Sequence, residues 1–115
     1  MTDFVRDHLG DDVELEQAFE LLLRLREEDE PQQWMFLNRA QGHLRKASEA
    51  LPNPRCSKRN LDPRLLEDLE KRGLDRRLSS VVGTIAKGAK SDSRHDRRFY
   101  LDSAVEMLQR VKDSV

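Results

Sequence analysis

The chain has 115 residues, of which 37% are charged, 37% hydrophobic and 5% aromatic, and its formal net charge is −1. This length supports one hydrophobic core rather than two, so we expect a single domain over residues 1–115. A net charge near zero provides no global attraction to a nucleic acid or a membrane, and the single cysteine excludes an internal disulfide.

The near-neutral total conceals two unlike halves. Residues 1–51 carry 12 acidic and 6 basic side chains, whereas residues 52–115 carry 10 acidic and 15 basic ones. Such an asymmetry gives an acidic face and a basic face, unless the two halves neutralise each other when they pack together. The sequence leaves both outcomes open.

The residue pattern predicts an all-α fold. Leu outnumbers Val plus Ile by 17 to 8, and no alternation of period two persists, which favours helices over strands. The pattern allows a short opening helix over residues 2–9. The next helix is predicted to begin after Asp11, with Glu14 completing a capping box. Its apolar stripe comprises Leu15, Ala18, Phe19, Leu22, Leu23 and Leu25.

Proline marks the next helix and the loop that follows it. Pro31 suits the first turn of a helix, and Pro52 stops that helix. The predicted stripe between them is Trp34, Leu37, Ala40, Leu44, Ala47 and Leu51. Residues 52–60 contain two prolines and polar turn residues without helical period, so we expect a loop there.

Three further helices complete a predicted compact bundle of about five. Asp62-Pro63 is typical of a helix start, and Gly73 is typical of a Schellman stop. The following helix is predicted to be central, since small uncharged residues separate its apolar positions, which are Leu74, Leu78, Val81, Val82, Ile85 and Ala89. Ser93 is predicted to cap the last helix. The stripe of that helix is Leu101, Ala104, Leu108, Val111 and Val115.

Residue types that carry catalysis or bind metals are few and poorly spaced. Cys56 has basic neighbours that favour a thiolate, but no base lies near it in sequence, and a bystander thiol is the favoured interpretation. The three histidines are His8, His43 and His95. None lies in the Glu-x-x-His or His-x-x-x-His spacing of a helical metal site. We therefore expect a non-enzymatic protein without a cofactor or metal.

The sequence also predicts where the protein resides. The N-terminal residues lack the basic start and apolar run of a secretory signal. The longest uncharged stretch, residues 78–86, is far shorter than the roughly 20 apolar residues of a membrane span. We expect a cytoplasmic protein without a membrane partner.

A run of four large apolar residues in the second main helix indicates a protein-binding surface. Neighbouring positions on a helix are about 100° apart, so one stripe cannot bury all four. The predicted core stripe uses Trp34 and Leu37, which leaves Met35 or Phe36 facing elsewhere, and Tyr100 widens the apolar side of the last helix. Exposed aromatic and Met side chains are typical of partner surfaces. The first interpretation is an interaction module that binds a protein partner, or itself, through Trp34, Met35, Phe36 and Tyr100.

A second interpretation depends on a basic segment. Residues 55–98 hold 13 Lys or Arg residues against 7 acids. Their two clusters would make one phosphate-binding patch if both helix joins lay at the same end of the bundle. The clusters are Arg72, Arg76 and Arg77 at one join, and Lys87, Lys90, Arg94, Arg97 and Arg98 at the next. The protein would then be a small subunit of a ribonucleoprotein or DNA complex, while an ordinary solvated face is the simpler alternative.

Overall fold

A computed structural model of the chain describes residues 13–25, 29–53, 63–91 and 93–114. These residues contain helices and no strand, which confirms the predicted all-α bundle of five main helices. The helices are α1 (Val13–Arg24), α2 (Glu30–Glu49), α3 (Pro63–Lys71), α4 (Arg76–Ala89) and α5 (Arg94–Asp113). The helix expected over residues 2–9, the cap at Asp11, His8 and Cys56 lie outside the described residues.

Four of the helices form a ring around a shared core. α1 packs against α2, α2 against α5, α5 against α4, and α4 against α1, whereas α3 packs on α4 from outside the ring. Among the described residues, α2 and α4 make no contact and therefore stand diagonally opposite each other. This arrangement leaves one side of α2 facing away from the bundle.

Neighbouring helices in the ring run antiparallel. At one end of the α2–α5 pair, Lys112 Nζ donates to Asn38 Oδ1 over 2.9 Å. At the other end, Arg94 Nη2 donates to the carbonyl oxygen of Ala50 over 3.2 Å. In the α1–α2 pair, Glu14 near the start of α1 contacts His43 in the second half of α2. In the α4–α5 pair, Arg77 at the start of α4 donates to Ser114, which follows α5 directly. The start of α2 therefore lies beside the end of α5.

The apolar stripes predicted for α1, α4 and α5 provide most of the core. The buried side chains of α1 and of the residue directly after it are Leu15, Ala18, Phe19, Leu22 and Leu25, while Leu23 is only partly buried. α4 is buried on nearly all sides and contacts three of the other four helices. The prediction that it is the central helix is confirmed.

α2 turns a different side towards the core than its apolar pattern indicated. Leu37, Ala40 and Leu44 are fully buried as predicted, but Trp34 is 45% exposed, so its assignment to the core stripe is wrong. Two polar residues of α2, Gln41 and Ser48, are buried instead. The helix is rotated so that these amide and hydroxyl groups face α5, where both find partners.

The turn between α3 and α4 has the predicted Schellman geometry. Gly73 has a φ of 96°, its N–H donates to the carbonyl of Glu70 over 3.0 Å, and the N–H of Leu74 donates to Leu69 over 3.1 Å. Leu74 is buried but precedes α4 rather than belonging to it, because Asp75 is the N-cap and accepts from the N–H of Leu78 over 2.8 Å. This cap is absent from the sequence-based prediction.

Replacing Gly73 by alanine should lower the free energy of unfolding by about 1 kcal/mol, because a Cβ at positive φ meets the following carbonyl oxygen. Denaturant unfolding followed by circular dichroism measures the change. Gly42→Ala is the matched control, since Gly42 lies within α2 and the same substitution there improves helix propensity. A Gly73→Ala variant as stable as the parent would contradict the expectation.

Candidate interaction surface

The two basic clusters lie at opposite ends of α4. This helix has 14 residues and is therefore about 21 Å long at 1.5 Å per residue. Arg76 is its first residue, and Lys90 is its C-cap. The clusters consequently do not form the single patch that required both joins to lie at one end of the bundle.

Four arginines of these clusters bind the C-terminal ends of helices within the chain. Arg97 donates to the carbonyl oxygens of Gly88 and Ala89 over 3.2 and 3.0 Å. Carbonyls in the last turn lack helical partners and carry partial negative charge, which a guanidinium offsets. The same kind of contact joins Arg94 to Ala50, Arg98 to Leu51, and Arg77 to Arg110. Half of the predicted phosphate-binding residues thus contact a carbonyl oxygen within the chain, and of these four Arg77 and Arg94 remain exposed.

The remaining basic residues at these joins are exposed. Lys87 and Lys90 line a cavity of about 430 Å³ between α3, α4 and α5, together with Ser91, Asp96 and Tyr100. The carboxylate of Asp96 lies among the same lining groups as the two ammonium groups and so weakens the attraction of the cavity for an anion. Arg72 and Arg76 are exposed at the other end of α4.

Tyr100 lies in the core and away from Trp34. It is 5% exposed, and its Cβ would be 3.1 Å from a Cβ built on Gly88. Its ring meets that of Phe99 edge-on, with centroids 5.4 Å apart. The expectation that Tyr100 shares an exposed surface with the apolar run of α2 is therefore wrong.

Two neighbouring side chains of the apolar run are exposed. Among the described residues the exposed large hydrophobic side chains are Val13, Trp34 and Met35. Trp34 is 45% and Met35 43% exposed, and they are adjacent near the start of α2. Phe36 is half-buried and packs against the core. Its ring centroid lies 5.8 Å from Cζ of the Arg24 guanidinium. The surface part of the run is thus Trp34 and Met35, which we call the apolar patch.

A cation on α5 holds the Trp34 ring in place. Lys112 Nζ lies 5.1 Å from the ring centroid, within the range of a cation–π interaction. The same ammonium donates to Asn38 Oδ1 and Gln41 Oε1, each over 2.9 Å. With its position fixed by two acceptors, the ammonium restrains an indole that nevertheless remains exposed. A pre-ordered aromatic side chain loses less entropy when a partner covers it.

Buried polar contacts connect α2 to α5 beneath this patch. Gln41, 1% exposed, donates through Nε2 to the carbonyl oxygen of Val105 and to Gln109 Oε1, each over 3.1 Å. Ser48 donates to Asp102 further along the same interface. These contacts fix which side of α2 faces outward, and therefore which residues are available to a partner.

Exposed residues continue the outward side of α2 beyond the apolar patch. We call this surface the α2 outer face and define it by Met35, Asn38, Arg39, Gly42, Arg45, Lys46 and Glu49, all of which are exposed. Arg39, Arg45 and Lys46 form no ion pair with a described residue. A Cβ on Gly42 would have no neighbour within 4 Å. The face carries three cations and one anion around an uncovered stretch of backbone.

The sequence contained signals for this face that the apolar pattern did not reveal. A glycine inside an otherwise uninterrupted helix, such as Gly42, costs about 1 kcal/mol relative to alanine and leaves the backbone uncovered. Arg39 and Lys46 share its side because they lie three and four residues from it. Lys112 and Gln41 carried no comparable signal, because their roles depend on contacts between α2 and α5.

The described residues contain no group of three or more His, Cys, Asp or Glu side chains arranged to hold a metal ion. His43 instead pairs with Glu14 across 2.6 Å, and His95 Nδ1 contacts the carbonyl oxygen of Asn53 at 2.6 Å. Within the same ranges, none of the helices combines the length and apolar character needed to span a bilayer.

Comparisons with known protein families, with curated proteins and with solved structures find no match to this chain.

Proposed function

We propose that this chain is a non-enzymatic protein-binding module that docks another protein chain through the apolar patch, Trp34 and Met35. The observation that carries the proposal is the adjacent exposure of these two large side chains on a helix whose other apolar residues are half-buried or buried. Tryptophan and methionine are enriched at protein interfaces, and tryptophan is among the residues that contribute most to binding. The cytoplasm is the proposed location, since a lone cysteine stays reduced there.

The charges of the α2 outer face favour a different chain over a second copy. In an antiparallel two-fold contact centred on Gly42, Arg39 of one copy meets Arg45 of the other. In a parallel two-fold contact, each cation meets its own equivalent. Like charges placed opposite each other oppose association, so a heterologous partner is the occupant that we propose.

The double variant Trp34→Ser/Met35→Ser should lose at least tenfold in affinity for the partner, which corresponds to about 1.4 kcal/mol. The test is a quantitative pull-down from the native cell, comparing the parent chain with this variant and with Val13→Ser. Val13 is the matched control because it is also an exposed large hydrophobic residue, 61% exposed, but lies at the start of α1. A protein retained by the parent and by the Val13→Ser variant, but lost from the double variant, supports the proposal.

Purified partner provides a direct readout, because Trp34 is the only tryptophan in the chain. Covering a 45% exposed indole should shift its fluorescence to shorter wavelength. A partner that binds the double variant as tightly as it binds the parent, and that leaves the Trp34 emission of the parent unchanged, would contradict the proposal.

Folding of the variants provides the necessary control. Met35→Ser should change the free energy of unfolding by less than about 0.5 kcal/mol, as exposed positions usually do. Phe36→Ser should cost about 2 kcal/mol, because it removes a half-buried aromatic ring from the core. If Met35→Ser unfolds the chain as severely as Phe36→Ser does, then Met35 is a core residue and the apolar patch is not a surface.

A further inference from the structure

The α2 outer face indicates what kind of chain would bind there. Arg39 and Lys46 lie on either side of Gly42 along the exposed side of the helix, and Arg45 lies beside them. None of the three is paired with a described acidic residue. On α2 itself, the exposed charge of this face is three cations against Glu49. Acidic side chains of the neighbouring helices border it, since Glu16 and Glu20 line the same cleft as Arg39, and Glu106 lines the same cleft as Arg45.

Gly42 is the second observation, and no contact within the described chain explains it. A glycine inside a helix costs about 1 kcal/mol relative to alanine. Gly42 lies within the 20-residue helix α2, is exposed, and would bring a Cβ into open space. The bundle itself would therefore accept alanine there. A glycine on an exposed face permits another backbone to approach closely.

These features together have the dimensions of a helix-binding surface. From Trp34 to Lys46 the helix rises by about 18 Å at 1.5 Å per residue. Packed helices lie about 8–10 Å apart, with the distance set by the side chains at the crossing point. A glycine at that point allows the short end of this range, which brings carboxylates on the second helix within reach of cations on both sides.

We infer that the partner bound by the apolar patch is an acidic amphipathic helix that crosses the α2 outer face at Gly42, an inference that rests on the proposed function. Its apolar side chains cover Trp34 and Met35 at one end. Its carboxylates pair with Arg39, Arg45 and Lys46. Partial desolvation in the contact strengthens such pairs beyond what exposed ion pairs provide.

Selection from a displayed library of random 20-residue peptides tests the inference even while the natural partner is unidentified. The parent chain is the target, and the Trp34→Ser/Met35→Ser variant is used for counter-selection. Enriched peptides should carry a net charge of about −3 or lower, with acidic and apolar residues at helical spacing. Peptides that depend on the apolar patch but are neutral or basic would overturn the inference and leave the proposed function standing. Enrichment of no patch-dependent peptide would overturn both.

Two further variants locate the contact on the face. For an enriched peptide, Arg39→Glu/Lys46→Glu should weaken binding at least tenfold, and the difference should shrink as salt rises. Lys87→Glu/Lys90→Glu is the matched control, because these exposed lysines lie at the end of α4, a helix that makes no contact with α2, and the reversal should leave binding within twofold. Equal effects of the two charge reversals would overturn the inference.

Gly42→Gln tests the close approach itself. The variant should be at least as stable as the parent, since glutamine has the higher helix propensity, yet should bind the peptide at least tenfold more weakly. Unchanged binding would show that no backbone crosses there and would overturn the inference.

The same variants distinguish two other occupants of the α2 outer face, a nucleic acid and a second copy of the chain. A labelled 20-nucleotide single strand that binds the parent and is lost in Arg39→Glu/Lys46→Glu would assign these cations to phosphates and overturn the inference. A dimer of the parent in sedimentation, converted to monomer by Trp34→Ser/Met35→Ser, would assign the face to a second copy and overturn it as well.

Discussion

Replacing Gly88 by valine is expected to lower the free energy of unfolding by about 2–3 kcal/mol, in the range typical of overpacking. A Cβ on Gly88 would already lie 3.1 Å from Tyr100 Cβ and 3.5 Å from the carbonyl oxygen of Arg97. The two methyl groups of valine would extend further into this contact, so α4 and α5 would have to separate. Calorimetry should show a midpoint lower by about 8–12 °C, at about 4 °C per kcal/mol for a chain of this size.

Gly42→Val is the matched control for this prediction. The substitution is identical and also lies inside a helix, but nothing lies within 4 Å of a Cβ there. Its unfolding free energy should stay within about 0.5 kcal/mol of the parent value. Equal effects at the two positions would show that helix propensity, rather than the α4–α5 contact, determines the result at Gly88.

Local chemistry explains why three of the helix ends were predictable. The stop at Gly73 is set by atoms within five residues of it. Likewise, Ser93 accepts from the N–H of Asp96 over 3.3 Å, and Pro31 lies in the first turn of α2. Each of these three signals lies within a short stretch of sequence. The number and type of helices follow from such signals together with the three–four spacing of leucines.

The orientation of α2 depended on contacts that no local pattern contains. Gln41 is buried because Val105, 64 residues away, accepts a hydrogen bond from it, and Ser48 because of Asp102, 54 residues away. An apolar pattern places Trp34 inward and both polar residues outward. Partners on α5 make the opposite rotation favourable, since buried polar groups are tolerated when they are hydrogen-bonded.

The separation of the basic clusters was predictable from the sequence. A helix places the joins before and after it at its two ends, so a single patch containing both Arg76 and Lys90 was inconsistent with a helix between them. The contacts of Arg94 and Arg98 with the end of α2 were not predictable from the sequence, because Ala50 and Leu51 precede them by 44 and 47 residues. Only the packing of α5 against α2 brings these groups together.

Gln41→Ala is the second substitution expected to have a large effect, a loss of about 2–3 kcal/mol in the free energy of unfolding. It removes two donated hydrogen bonds and the one accepted from Lys112, each worth about 1 kcal/mol. It also leaves a void at a position that is 1% exposed. Denaturant unfolding measures the loss.

Asn38→Ala and Gln41→Met separate the causes of that loss. Asn38 is exposed and shares the Lys112 ammonium with Gln41, so Asn38→Ala should cost no more than about 0.5 kcal/mol. Gln41→Met fills the space but removes the polar groups, and should cost about 1 kcal/mol because exposed Gln109 can turn to water. A Met variant as unstable as the Ala variant would show that the hydrogen bonds matter more than the filled volume. Since Lys112 also lies over the Trp34 ring, altered Trp34 fluorescence in both Gln41 variants would show that the buried amide helps to hold the exposed indole.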